Sequence, residues 1–159
     1  MARTYIVATT GKGVWSLHAK RLRNVACLRY GVEFLKIARK TRFPIVQAFL
    51  LGQAIELYFK AFLFHRGYGE KQLRARPFGH NLTRLLNEAL SQGLAGPLRV
   101  SDQMKADLDA LNKVYASKAL QYFSIIYIIA TPTIPNLTRL FRFAERLNNY
   151  LVREIRAPT

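Results

Sequence analysis

The stretch Pro44 to Gly67, PIVQAFLLGQAIELYFKAFLFHRG, decides the fold, because its apolar residues cover most of a helical circumference. Ile45, Ala48, Phe49, Leu51, Ile55, Leu57, Phe59, Phe62 and Phe64 leave no broad polar side, whereas a surface helix carries a single apolar stripe. Such a helix needs other helices on nearly every side. Pro44 suits a first helical turn, and Gly67 followed by Gly69 ends it. One narrow polar line remains, Gln53, Glu56 and Lys60, with Glu56 placed N-terminal to Lys60 in the favourable orientation for an ion pair one turn apart. That line is expected to be the helix's wet edge.

The run is about long enough to span a bilayer. Gln47, Gln53, Glu56 and Lys60 lie inside it, and an ionised side chain at mid-bilayer costs roughly 2.5 to 3.5 kcal/mol, so a buried core helix is the preferred reading and no membrane partner is expected. A chain of 159 residues fits one domain. The 25 Lys and Arg against 9 Asp and Glu give a formal net charge of +16, in a chain that is half apolar and so not disordered by composition. A surface this basic favours polyanions: nucleic acid first, then phosphorylated ligands, anionic lipid or an acidic partner protein. The single Cys27 and three histidines offer no cluster for a structural zinc, so no metal or cofactor is expected. The apolar patch Tyr5 to Ala8 is too short for a signal-peptide core, and the expected location is the cytoplasm.

Outward from the centre, residues 1–23 read as a basic N-terminal arm and residues 24–159 as the helical domain. Asn24 can cap a helix to about Lys40 with Val25, Leu28, Val32 and Leu35 in register. Tyr68 to Gly79 breaks all periodicity and reads as an exposed basic loop carrying Lys71, Arg74 and Arg76. Leu82, Leu85, Leu86, Ala89 and Leu90 form a third helix, stopped by Gly93 and Gly96-Pro97. Ser101 or Asp102 caps a fourth, with Met104, Leu108, Leu111 and Tyr115 inward and Lys105 with Asp109 as an outward pair. Ala119 to Ala130, ALQYFSIIYIIA, fits helix, hairpin arm or apolar docking patch equally, and the conformation of 119–134 stays open. From Pro135 a fifth helix buries Leu137, Leu140, Phe141, Ala144, Leu147 and Leu151.

The central helix contains Ala54, Glu56, Tyr58, Lys60, Ala61 and Gly67 in the pattern A-x-E-x-Y-x-K-A-x5-G, followed by Gly79-His80-Asn81-Leu82 opening the next helix. With the later segment Leu111 to Phe123, LNKVYASKALQYF, this order resembles the HEPN superfamily of helical domains. The resemblance implies an all-α, up-and-down bundle of about five helices, a homodimer, and association with RNA processing, toxin-antitoxin or defence systems, or nucleotide-linked partners. Active ribonucleases of that family carry Arg, four to six residues, then His on a late helix. This chain departs from the pattern, since no His follows His80 and Asn148 and Asn149 stand where an acid-base group is wanted.

Three groups of candidate residues follow. Arg74 and His80 form an Arg-x5-His string, the catalytic candidates of a metal-independent endoribonuclease; the competing role for His80 is a structural hydrogen bond to the Glu56 line or near a helix start. Glu56, Lys60, His80 and Arg84 are candidates for a polar pocket between the central and third helices. Arg139, Arg142, Arg146 and Arg153 share one face of the last helix and, with Lys71, Arg74 and Arg76, suit contacts to a phosphate backbone. The leading expectation is binding of RNA or another phosphorylated polyanion without catalysis. Cleavage is the alternative, and a toxin-antitoxin or protein-interaction module the third reading.

Overall fold

The computed structural model describes residues 17–96, 98–116 and 135–156. Among them it is all-helical: α1 (Leu17–Lys40), α2 (Pro44–His65), α3 (Glu70–Arg74), α4 (Leu82–Ala89), α5 (Asp102–Ala116) and α6 (Leu137–Arg156), with a π-helical turn at Leu90–Leu94 after α4. α2 is the axis. It packs against α1, α4, α5 and α6, and Leu51, Ala54, Ile55, Tyr58, Phe59, Phe62 and Leu63 have no exposed surface. A helix of this length and apolarity passes a membrane-span test by composition; in this fold more than half of it is inside the bundle.

The ends of α2 follow from its punctuation. Phe43 is extended at φ −90° and ψ 110°, as the residue before proline must be, and Pro44 occupies the first turn where its missing N–H is not needed. At the other end Gly67 takes φ +95°, a left-handed conformation that costs glycine nothing. The Gly67 N–H donates to the Phe64 carbonyl and the Tyr68 N–H to that of Leu63, both at 3.0 Å, so the last carbonyls are closed off and the helix stops.

α1 lies along α2, burying Leu28, Gly31, Leu35 and Ala38 at steps of three and four. The approach at Gly31 is close, since a Cβ there would stand 2.5 Å from Cε1 of Tyr58. The chain is already helical at Leu17, so Asn24 is buried inside the helix and caps nothing, and residues 17–23 of the expected arm are helical. The run Leu17 to Arg23 hides this extension because its basic residues show no apolar period.

The expected loop of residues 68–79 holds the one-turn helix α3, raising the helix number from about five to six among the described residues. Leu73 is the reason: it is fully buried and pins the segment to the core while Lys71, Arg74 and Arg76 stay exposed. α4 is capped by Asn81, whose Oδ1 accepts from the Arg84 N–H at 3.0 Å and from the Asn112 side-chain amide at 3.2 Å; the Leu82 N–H donates to Asn112 Oδ1 at 2.8 Å. Ser101 caps α5, accepting from the Met104 N–H at 3.2 Å. Lys105 pairs with Asp102, not Asp109, which accepts from Thr83 on α4 instead. The stretch Ala119 to Ala130 lies outside the described residues.

Candidate functional site

Glu56 is the most constrained polar group. Only 4% of the residue is exposed, and three side chains from three parts of the chain converge on its carboxylate. Lys60 Nζ, one turn along α2, donates to Oε1 at 2.5 Å. The Tyr115 hydroxyl of α5 donates to Oε2 at 2.7 Å, and Nδ1 of His80, just before α4, lies 3.0 Å from the same oxygen. The polar line of α2 is therefore not a wet edge. It faces the α4 and α5 side of the bundle, with Gln53 and Lys60 half-buried beside it.

A carboxylate this buried is tolerable because each oxygen has a donor and a cation stands beside it. Burial, then the Glu56 charge and the hydrogen bond to it, push the Tyr115 phenol far above its ordinary range, so it stays a donor. Gly52 makes room for it: a Cβ there would lie 2.6 Å from Cδ2 of the Tyr115 ring. Nδ1 of His80 is committed to the carboxylate on a side chain that is 47% exposed, and in a neutral ring that donates from Nδ1 the other nitrogen, Nε2, is an acceptor. A carboxylate-backed imidazole of this kind is chemically able to take a proton.

Of the expected pocket residues, Glu56, Lys60 and His80 come together, and Arg84 does not. Its backbone N–H serves the Asn81 cap and its side chain is exposed. Tyr115 joins instead. Its position in the apolar register of α5 disguises it as core in the sequence, and the only hint was a phenol on the same face as Leu108 and Leu111. Arg74 is paired with Glu70 at 3.1 Å on a side chain that is 76% exposed, so nothing ties it to His80.

The arginines of α6 divide into two sets. Arg139 is half-buried and its Nε donates to the buried Asp107 of α5, which makes it a helix-to-helix tie. Arg142, Arg146 and Arg153 are exposed and make no ion pair among the described residues. The acids of the same helix are paired with other residues, Glu145 with Arg39 of α1 and Glu154 with Arg66 at the end of α2. Lys71 and Arg76 are exposed on the α3 segment. Among the described residues no three His, Cys, Asp or Glu side chains gather as a metal cage. Comparison with family models, curated proteins and solved structures gives no match to the chain.

Proposed function

We propose that this HEPN-like helical bundle binds the phosphate backbone of RNA without cleaving it, through the outward face of α6. One observation carries the reading: Arg142, Arg146 and Arg153 stand exposed on one face while both acids of that helix are committed to Arg39 and Arg66. Three guanidinium groups with no ion pair among the described residues, on a chain of net charge +16, form an electrostatic footprint for a polyanion. Pairing into a homodimer would place two such faces on one particle.

The test is retention of labelled single-stranded RNA by the purified protein across a salt series in chelator. Affinity should fall steeply with salt, and replacing Arg142, Arg146 and Arg153 by Gln together should flatten the logarithmic salt slope by about 2, at about 0.7 per lost phosphate contact. Arg139→Gln should instead lower the unfolding temperature and leave the slope nearly unchanged. No retention at low salt, or an unchanged slope in the triple variant, refutes the reading.

A second reading, metal-independent RNA cleavage, draws on the Glu56 carboxylate behind the half-exposed His80 ring. It requires fragments in those same chelated samples that vanish with His80→Ala. Intact RNA in every sample removes it.

A further inference from the structure

Among the described residues four buried side-chain polar atoms have no hydrogen-bond partner, and two of them, the hydroxyl of Tyr58 and Oδ1 of Asn148, belong to residues that line one groove on the side of α2 away from Glu56. The groove, of about 390 Å³, lies between α1, α2 and α6, with the two atoms themselves covered. Tyr58, with no exposed surface, sits at its bottom, Val32 and Leu35 form an apolar wall, and Asn149 and Arg39 stand at its mouth. The volume falls within the roughly 300 to 1,000 Å³ usual for small-ligand pockets. An orphaned buried hydroxyl or amide is expensive, and natural cores rarely leave two at one place. Burial, then the Glu145 charge, push the Tyr58 phenol well above its ordinary range, so it is a neutral donor.

Groove and phosphate face are neighbours, separated by one ion pair. The Arg39 to Glu145 ion pair that closes one end of the groove also lines a second hollow, of about 370 Å³, which contains Thr138, Phe141 and the exposed Arg142. A ligand filling both would present a flat, neutral edge with one acceptor and one donor at the bottom of the groove and an anion outside it.

We infer that the groove holds a nucleobase that accepts a hydrogen bond from the Tyr58 hydroxyl and donates one from an amino or imino N–H to Asn148 Oδ1, with the attached phosphate at Arg142. Val32 and Leu35 cover one ring face. Access to the hydroxyl takes a rotamer change of the side chains above it, since both orphan atoms are sealed from water. The base can belong to an RNA strand or to a free nucleotide, which share this chemistry. The inference rests on the RNA-binding reading for the strand and stands apart from it for the nucleotide.

The experiment uses the full chain and three probes: a short single-stranded RNA, an abasic ribose-phosphate strand of the same length, and the nucleoside 5′-monophosphates. RNA should bind more tightly than the abasic strand. Tyr58→Phe keeps the ring, removes only an unpartnered hydroxyl, and should leave the melting temperature equal or higher. It should weaken RNA binding about threefold to tenfold, the value of one hydrogen bond, and leave the abasic strand unaffected. Asn148→Ala is the independent second variant and should act in the same direction. Equal binding of RNA and abasic strand, unchanged by Tyr58→Phe, overturns the base site while backbone binding stands. Tyr58-dependent binding of a monophosphate with no binding of either strand supports the base site and refutes the RNA reading. Binding of none of the probes refutes both.

Discussion

Glu56→Ala should be among the most damaging single substitutions in this chain. It removes the acceptor of three donors, two of them inside the bundle, and leaves the Lys60 ammonium, on a side chain only 13% exposed, without its counter-charge. Breaking a buried ion pair from one side costs about 3 to 5 kcal/mol, a large share of the 5 to 15 kcal/mol that holds a typical domain together. For a domain of this size each kcal/mol moves the melting temperature by about 2 to 4 °C, so a fall of at least about 6 °C is expected. Tyr115→Phe removes one buried hydrogen bond to a charged group and should cost about 1.5 to 3 kcal/mol. His80→Ala, on a half-exposed ring, should cost less than either. Urea unfolding followed by circular dichroism of the wild type, the three single variants and the Glu56→Ala, Tyr115→Phe double variant gives the order and the coupling. In the double variant the Tyr115 contribution should largely disappear, because its partner is already gone. A loss below about 1 kcal/mol for Glu56→Ala, or additive losses in the double variant, would show that the carboxylate is not the common acceptor, against the expected penalty for a stranded buried charge.

Two more predictions follow from the same tyrosines. Gly→Ala inside a helix ordinarily stabilises by up to about 1 kcal/mol, but Gly31→Ala and Gly52→Ala should destabilise by about 1 to 3 kcal/mol, because the added methyl meets the Tyr58 or the Tyr115 ring well inside van der Waals contact; neutral or raised stability in denaturant melts would show that the rings move away freely. Alkaline pH should also unfold the protein. The Tyr58 and Tyr115 phenols are raised in the folded state, so above the ordinary tyrosine pKa of about 10 the unfolded chain releases protons that the native one keeps, and stability falls as pH rises; below that pH these groups contribute no slope. Phenolate absorbance of the native protein should show at least two of the eight tyrosines silent until unfolding, and ionisation of all eight before the circular dichroism changes would contradict the burial of Tyr58 and Tyr115.

The legible parts of this fold are those governed by apolar periodicity and chain punctuation. α2 could be read as central because its apolar residues encircle it, and both ends because Pro44 and Gly67 each impose a backbone angle. The inward faces of α5 and α6 followed from their spacing. Contacts between residues far apart in the chain left no such trace. Arg139 and Asp107 lie on different helices 32 positions apart, and in sequence that arginine resembles Arg142, which is solvated. Leu73 is one apolar residue in a basic segment, too little to signal a helical turn, yet its full burial holds one there. His80 near the Glu56 line was foreseeable, since a short basic segment returns the chain from the end of α2 to its flank; Tyr115 was not, because a phenol in an apolar register looks the same whether its hydroxyl is bound or orphaned.

That ambiguity of tyrosine separates the two polar places on α2. Glu56 and Tyr58 are two residues apart, hence on nearly opposite sides of one helix. On the Glu56 side every buried polar atom of the cluster has a partner within the chain, and a saturated network of that sort rigidifies the packing of α2 on α4 and α5 without needing anything from outside. On the Tyr58 side the hydroxyl and the Asn148 carbonyl are left over, beside a groove whose outer end carries exposed arginine. Leucine or phenylalanine in place of Tyr58 would spare the fold an unmet donor, so the hydroxyl gains its use only when something enters the groove. The two sides therefore answer differently to substitution: loss of polarity around Glu56 lowers stability, whereas loss of the Tyr58 hydroxyl leaves stability intact and lowers affinity. Measuring both quantities on Tyr115→Phe and Tyr58→Phe in parallel separates the cement of the bundle from its binding surface, and a fall in stability alone for both tyrosines would place them in the same structural class.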